Sequence, residues 1–314
     1  MRFSAVLSAF LLASGLPARG GEPAAPGAVT LVAPGDYAPD GPELVAVFLD
    51  IGQGDGAYVQ TPDGRNILVD SGGTPSWSKF SYEPGREKVV PFLKSRGVSR
   101  LDMAVISHPH GDHIAGFLEV FRIFPVAALA DPGLEHDEPE YPRLLKLAES
   151  RRSEYLVVGE GDALDWGPSV RVEVLNPPRD FAYQGLNDNS IVLRVTYKSA
   201  RFLFTGDVEQ EAENRLARRH KDELSADVLK VPHHGSRTST IPRFLEAVSP
   251  RIVVVSCGRR NLFGHPHPST VSRLSASGAE LYRTDEDGDV EVRTDGTRMA
   301  VFLHGNRPGV KTAP

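Results

Sequence analysis

The sequence predicts an α/β fold in which two mixed β-sheets pack together and carry helices on their outer faces. Three observations predict it. Short β-rich runs gather into meanders, helical stretches alternate with apolar strands between them, and no tandem repeat at a solenoid period is present. With 314 residues, 40% of them hydrophobic, the chain is long enough for one large core or two modest ones.

The chain opens with MRFSAVLSAFLLASGLPARG, which holds Arg2, an apolar run from Phe3 to Leu12, and Ala18 and Gly20 at small-x-small spacing. This reads as a cleaved secretory signal, residues 1–20, cut after Gly20. The run is far shorter than the ~20 residues a membrane span needs. The mature protein is therefore expected to be exported, to the periplasm or the extracellular space, without stable membrane insertion. Residues 21–43, rich in Pro, Gly and Ala, read as a linker, residues 44–303 as one domain, and residues 304–314 as a tail. Cys257 is the single cysteine, so no internal disulfide forms, and its apolar setting in RIVVVSCG predicts a buried small residue. A net charge of -6 excludes a globally basic surface but leaves room for a local basic groove.

From Leu44 the runs LVAVFLD, GAYVQT and NILVD form a first meander, with PDG at 62–64 as a turn. Helices are expected in EKVVPFLKSRG, after His113, and in EYPRLLKLAES, EQEAENRLARRH, TIPRFLEAV and STVSRLSAS. Strands alternate with them in DMAVIS, EYLVV, ADVLKV and RIVVV. VRVEVLN, SIVLRVTY and ARFLFTG form a second meander, and AELYRT, GDVEVRT and TRMAVFL a third.

The densest chemical signal is SHPHGDHIAG, residues 107–116. His108 emerges at the end of the strand MAVIS, and Pro109 and Gly111 bend the loop so that His108 and His110 converge with Asp112 and His113. Imidazole nitrogens and a carboxylate suit Zn²⁺ or a similar divalent ion. So many ligands in so short a stretch suggest a pair of ions. LFTGD ends another strand at Asp207, VPHHGS brings His233 and His234, and GHPHP brings His265 and His267.

This arrangement resembles the metallo-β-lactamase superfamily: HPHGDH is preceded by Asp70 in LVDSGG and followed by TGD. FLDIGQGDGAYVQTPDGRNILVDSGG, NDNSIVL, FLFTGDVEQEAE, ADVLKVPHHGSRTS and GHPHPS are similar to the hydrolase domain that ends the competence protein ComEC. The resemblance implies an αββα sandwich and a divalent-metal phosphodiesterase, proposed to act on DNA. It implies His108, His110 and Asp188 at one ion, Asp112, His113 and a late histidine at the other, and Asp207 as the bridge. NDNSIVL stands where most members of the superfamily place a third histidine, so Asp188 or Asn187 is expected to replace it; an oxygen ligand shifts preference toward Mn²⁺, with Zn²⁺ still an option. His136, in the loop GLEHDEPEY, is expected to be solvated.

Adjacent residues of an extended strand point to opposite faces, so His233 and His234 are not both expected at the metals. His233 is preferred as ligand and His265 next, leaving His234 as a proton donor or phosphate contact. Two ions ~3.5–4 Å apart would bring a shared water toward a pKa of ~7, providing a metal-bridged hydroxide as nucleophile that Asp112 orients. Arg237, with Arg259 and Arg260, and backbone N–H groups near Gly235 and Ser236 are the candidate phosphate contacts. The expected function is thus an exported phosphodiesterase or nuclease with two divalent ions, zinc or manganese. The alternatives are a related hydrolase of lactones, thioesters or β-lactams, and a catalytically idle binding domain.

Overall fold

A computed structural model of the protein describes residues 29–74, 82–134, 136–180, 182–221 and 223–305. The expected signal segment and most of the expected tail lie outside the described residues. The first strands are β1 (Thr30–Leu31), β2 (Leu44–Phe48), β3 (Gly56–Gln60), β4 (Asn66–Ser71), β5 (Leu101–Val105), β6 (Val126–Asp131) and β7 (Glu154–Val157). They are followed by β8 (Arg171–Asn176), β9 (Val192–Tyr197), β10 (Ala200–Phe204), β11 (Val228–Lys230), β12 (Ile252–Val255), β13 (Glu280–Arg283), β14 (Val290–Thr294) and β15 (Arg298–Leu303). The α-helices are α1 (Val90–Ser95), α2 (Gly111–Ile114), α3 (Phe117–Ile123), α4 (Glu140–Ser150), α5 (Gln210–Arg219), α6 (Pro242–Val248), α7 (Pro268–Ala276) and α8 (Thr284–Asp287).

Two mixed sheets result. One runs in the order β1-β15-β14-β2-β3-β4-β5-β6-β7, the other β13-β12-β11-β10-β9-β8. Alternation along the strands divides their side chains between two faces. Phe48, Val59, Val105, Phe202, Val228 and Val254 fill the layer between the sheets, where Phe48 stacks on Phe204 with centroids 5.7 Å apart. Val47, Leu68 and Ala104 face outward onto Leu93, Phe117, Phe121 and Leu144 of α1, α3 and α4. Leu203, Leu229 and Val253 do the same toward Leu216, Phe244 and Leu274 of α5, α6 and α7. Helix, sheet, sheet and helix are stacked as the αββα expectation requires.

Two expectations change. AELYRT does not join the closing meander: β13 pairs in parallel with β12, while β14 and β15 return to the first sheet beside β2. A helix, α8, separates β13 from β14 and carries the chain between sheets. β1 lies within the stretch expected to be linker and pairs with β15. Cys257 is buried as expected.

Candidate metal centre

Strands β4, β5, β10, β11 and β12 release their chains at one rim, and the turn before β3 reaches the same place. C-terminal ends of parallel strands are where such sheets present side chains to a cleft. The HPHGDH turn and α2 pack closely on the backbone there. A Cβ on Gly54, itself at φ +130°, would stand 2.1 Å from the Asp112 carbonyl oxygen, and one on Gly73 1.9 Å from that of Gly111. Only glycine permits this approach.

Asp207 is the hub. Its Oδ2 lies 3.3 Å from His113 Nε2, 3.3 Å from His234 Nε2, 3.8 Å from His233 Nε2 and 4.0 Å from His108 Nε2. Asp112 Oδ2 is 3.5 Å from His234 Nε2. His110 Nδ1 sits 2.8 Å from His108 Nε2. His108, His113, His234 and Asp207 are buried. Among the described residues, His113 Nε2, His234 Nε2 and Asp207 Oδ1 have no hydrogen-bond partner.

A buried polar atom left without a partner costs about 1–3 kcal/mol. Imidazole nitrogens and carboxylate oxygens are also the donors that divalent transition ions take. His108, His113 and Asp207 bring ligand atoms within 4.8 Å of one another; so do Asp112, His113 and His234, and Asp55, Asp207 and His234. These residues fit a divalent-metal centre, and they are the ones that would hold it.

The imidazoles are aimed from behind, the arrangement that sets ring orientation in metal sites. His113 Nδ1 is 2.9 Å from Asp70 Oδ2, and Asp70 Oδ1 accepts the Ser107 N–H at 2.8 Å. His234 Nδ1 lies 3.0 Å from the Ser256 carbonyl oxygen and 3.2 Å from Asp55 Oδ1. His233 Nδ1 lies 2.7 Å from Glu209 Oε1. Lys230 pairs with Asp55 Oδ2, donates to the Gly206 carbonyl at 3.1 Å and stands 3.9 Å from Asp207 Oδ1.

Burial opposes ionisation of Asp207 and Asp112, yet the neighbouring imidazoles hold Asp207 well below, and Asp112 below, the usual carboxylate range. Burial likewise opposes charge on His113 and His234, but Asp207 with Asp70, and Asp207 with Asp55, raise them well above the usual imidazole value. His108 and His110 go down, first through burial and then through the charge on His113. Protons on His113 and His234 compete with a cation, so metal affinity falls as pH falls.

Several sequence expectations meet a different arrangement. His233 and His234 both face Asp207, because they are not in an extended strand: their φ values are 47° and 52°, in the left-handed region. His234 is the more deeply buried and the closer of the two. His265 lies one layer out, its ring centroid 5.5 Å from that of His233 and 6.1 Å from that of His234. The structure does not bring Asp188 to the cluster. Its Oδ1 accepts the N–H groups of Glu209 at 2.7 Å and Ala212 at 3.2 Å, capping the start of α5. Asn187 also faces Glu209, at 3.5 Å. His136 is half-buried rather than solvated, with its ring 5.8 Å from that of His110. Arg237, Arg259 and Arg260 are exposed. The Ser236 N–H is spent on the His233 carbonyl at 2.8 Å, which removes it as an oxyanion donor.

Asp55, Lys230 and Glu209 were missed as site residues. A lysine inside the apolar run DVLKVP and an acid two positions after Asp207 were the available signals. Their partners lie in distant parts of the chain, which no local pattern shows.

The layered fold and this rim of histidines and carboxylates define a metallo-hydrolase scaffold. The chain belongs to the metallo-β-lactamase superfamily, whose model matches residues 50–259. It is similar to ComE operon protein 3 of Bacillus subtilis, at 32% identity over 258 residues, and to Competence protein ComA of Neisseria gonorrhoeae, at 32% over 251. Those alignments cover 78% and 79% of this chain but 32% of each relative, so the chain spans about a third of the curated relatives' length. The resemblance to ComEC-type proteins stands. Among solved structures, Igni18, a metallo hydrolase from the hyperthermophilic archaeon Ignicoccus hospitalis, matches with a TM-score of 0.52 at 17% identity. That match covers 79% of this chain and 98% of Igni18, and it shows the shared fold.

Proposed function

We propose that the protein is an exported, divalent-metal-dependent phosphodiesterase, with DNA as the candidate polymer. The observation that carries the reading is Asp207, whose Oδ2 faces four imidazole Nε2 atoms and thereby offers one carboxylate to two sets of ligands. The resemblance to the ComEC hydrolase domain supports a phosphodiester substrate. The assigned ligands are His108, His110, Asp112, His113, Asp207 and His234, with His233 and His265 beside them. Zn²⁺ or Mn²⁺ bound there would supply Lewis acidity and a nucleophilic water near neutral pH.

The chain's own groups orient and neutralise. Asp112, at the start of α2, would orient the attacking water by accepting a hydrogen bond from it. Asp70, Asp55 and Glu209 keep the imidazoles aimed, and Lys230 balances Asp55 and Asp207. Arg237, Arg259 and Arg260 bring guanidinium groups to a phosphate whose oxygens gain charge in the transition state. Among the described residues no helix is long and apolar enough to cross a membrane.

The test is metal-reconstituted protein assayed in parallel on plasmid DNA, RNA, bis-p-nitrophenyl phosphate, a lactone and nitrocefin. Phosphodiesters are expected to be cleaved, and Asp207→Ala to lose both metal and turnover. Nitrocefin or lactone hydrolysis without phosphodiester cleavage under Mn²⁺ or Zn²⁺ overturns the reading. N-terminal sequencing of secreted material tests export: a start after Gly20 is expected, and a start at Met1 refutes cleavage.

A further inference from the structure

A cavity of about 510 Å³ opens beside the candidate metal centre, lined by His136, Asp137, Tyr141, Pro142 and Leu145. It adjoins the centre at its His110 end: the His136 ring lies 5.8 Å from that of His110, whose Nδ1 is 2.8 Å from His108 Nε2. Its walls are held by the chain's own hydrogen bonds. His136 Nδ1 accepts the Glu138 N–H at 3.0 Å, and the Tyr141 N–H donates to the Glu138 carbonyl at 3.0 Å. The Tyr141 hydroxyl donates to buried Asp131 at 3.1 Å, which commits that proton and leaves the ring as wall.

Each wall has a defined chemistry. With Nδ1 an acceptor, the proton of the neutral His136 ring sits on Nε2, which is then a donor. Asp137 is exposed, and its carboxylate accepts from hydroxyl, imino and amino groups. Tyr141, Pro142 and Leu145 supply apolar surface. No lysine or arginine is among these lining residues, and a phosphate brought against Asp137 would meet like charge. The guanidinium groups stand at the other end of the centre. Arg259 and Arg260 belong to the loop between β12 and α7, as does His265, whose ring is 5.5 Å from that of His233 and 6.1 Å from that of His234. The rings of His110, His108, His113 and His234 join the two ends, with successive centroids 4.6, 4.2 and 5.3 Å apart.

We propose that this pocket binds the nucleoside, sugar and base together, on one side of the scissile phosphate, while any further phosphates of the substrate lie on the arginine side. The proposal rests on the phosphodiesterase reading and adds the part of the substrate that is recognised. A nucleoside is uncharged, has an apolar base face, and carries both donors and acceptors. A concave wall with apolar surface, one donor at His136 and one acceptor at Asp137 matches each of these. A simple lactone or alkyl phosphodiester has no donor to offer Asp137.

Two measurements test it. In the first, saturation-transfer NMR reads thymidine binding to chelated protein, so that neither phosphate nor metal takes part. Wild type is expected to bind. Leu145→Trp, which fills the pocket, and Asp137→Ala, which removes an exposed acceptor, are expected to lose most of the signal. No binding by wild type, or undiminished binding by either variant, overturns the pocket. The second compares metal-reconstituted protein on thymidine 5′-(p-nitrophenyl phosphate) and on methyl p-nitrophenyl phosphate. Both variants are expected to raise KM about tenfold on the nucleoside-bearing ester alone, with kcat little changed. Equal KM changes on the two esters overturn the proposal. If wild type cleaves neither ester, the phosphodiesterase reading fails by itself and the NMR measurement decides the pocket.

Discussion

Replacing Asp55 by Asn keeps the shape of a buried side chain and removes the charge that Lys230 faces. Lys230 is 4% exposed and Asp55 5%. Burial would push the Asp55 carboxyl up, but the Lys230 ammonium and His234 hold it below the usual range. In Asp55→Asn the ammonium keeps the Gly206 carbonyl and a carboxylate oxygen 3.9 Å away, but loses the negative charge it was paired with. Removing one partner of a buried pair costs about 3–5 kcal/mol, a large part of the 5–15 kcal/mol typical of a domain. Asp55→Asn/Lys230→Met, which removes both charges, should recover most of that loss. Metal binding should separate from stability. In both variants the carboxylate behind His234 Nδ1 becomes a neutral amide, so affinity is expected to fall about tenfold or more in each. Urea denaturation of chelated protein reads the first quantity, and metal titration against a competing chelator the second. A stability loss under about 1 kcal/mol in the single variant, or a double variant no more stable than the single, would refute the reasoning.

Asp188→Ala should cost about 1 kcal/mol by uncapping α5 and leave metal stoichiometry unchanged; loss of one ion on titration would return Asp188 to the ligand set. Burial pushes the Asp131 carboxyl up to about 6 despite hydrogen bonds from the Gly133 N–H, Tyr141 and Tyr155. The folded state therefore keeps a proton that the unfolded chain releases at ~3.9, so this group's stabilising contribution is present below that value and is lost as pH rises through about 6. Asp131→Asn should gain up to about 3 kcal/mol at pH 7 and nothing near pH 3, and equal gains in denaturation at both pH values would contradict this. Arg237→Ala should lose activity on DNA while sparing a neutral lactone or ester; equal losses on both remove its phosphate role.

Local patterns determined much of this protein. Strand and helix periods are written into neighbouring residues, so the alternating layers, the buried Cys257 and the HPHGDH and TGD clusters were legible in the sequence. Strand ends at a common rim then predicted that Asp207 and the histidines would meet. Tertiary structure decided what depends on pairing between distant segments or on backbone departing from its regular form. Only the completed sheets send β13 to β12 and β14 to β2. Only the left-handed turn at His233 and His234 brings both rings to one carboxylate, where an extended strand would have parted them. Asp188 satisfies the open N–H groups of α5 because that helix start is packed against it, a demand that NDNS does not reveal. Asp55 and Lys230 meet in the interior because each buried charge needs an opposite one, and only the packed fold chooses which.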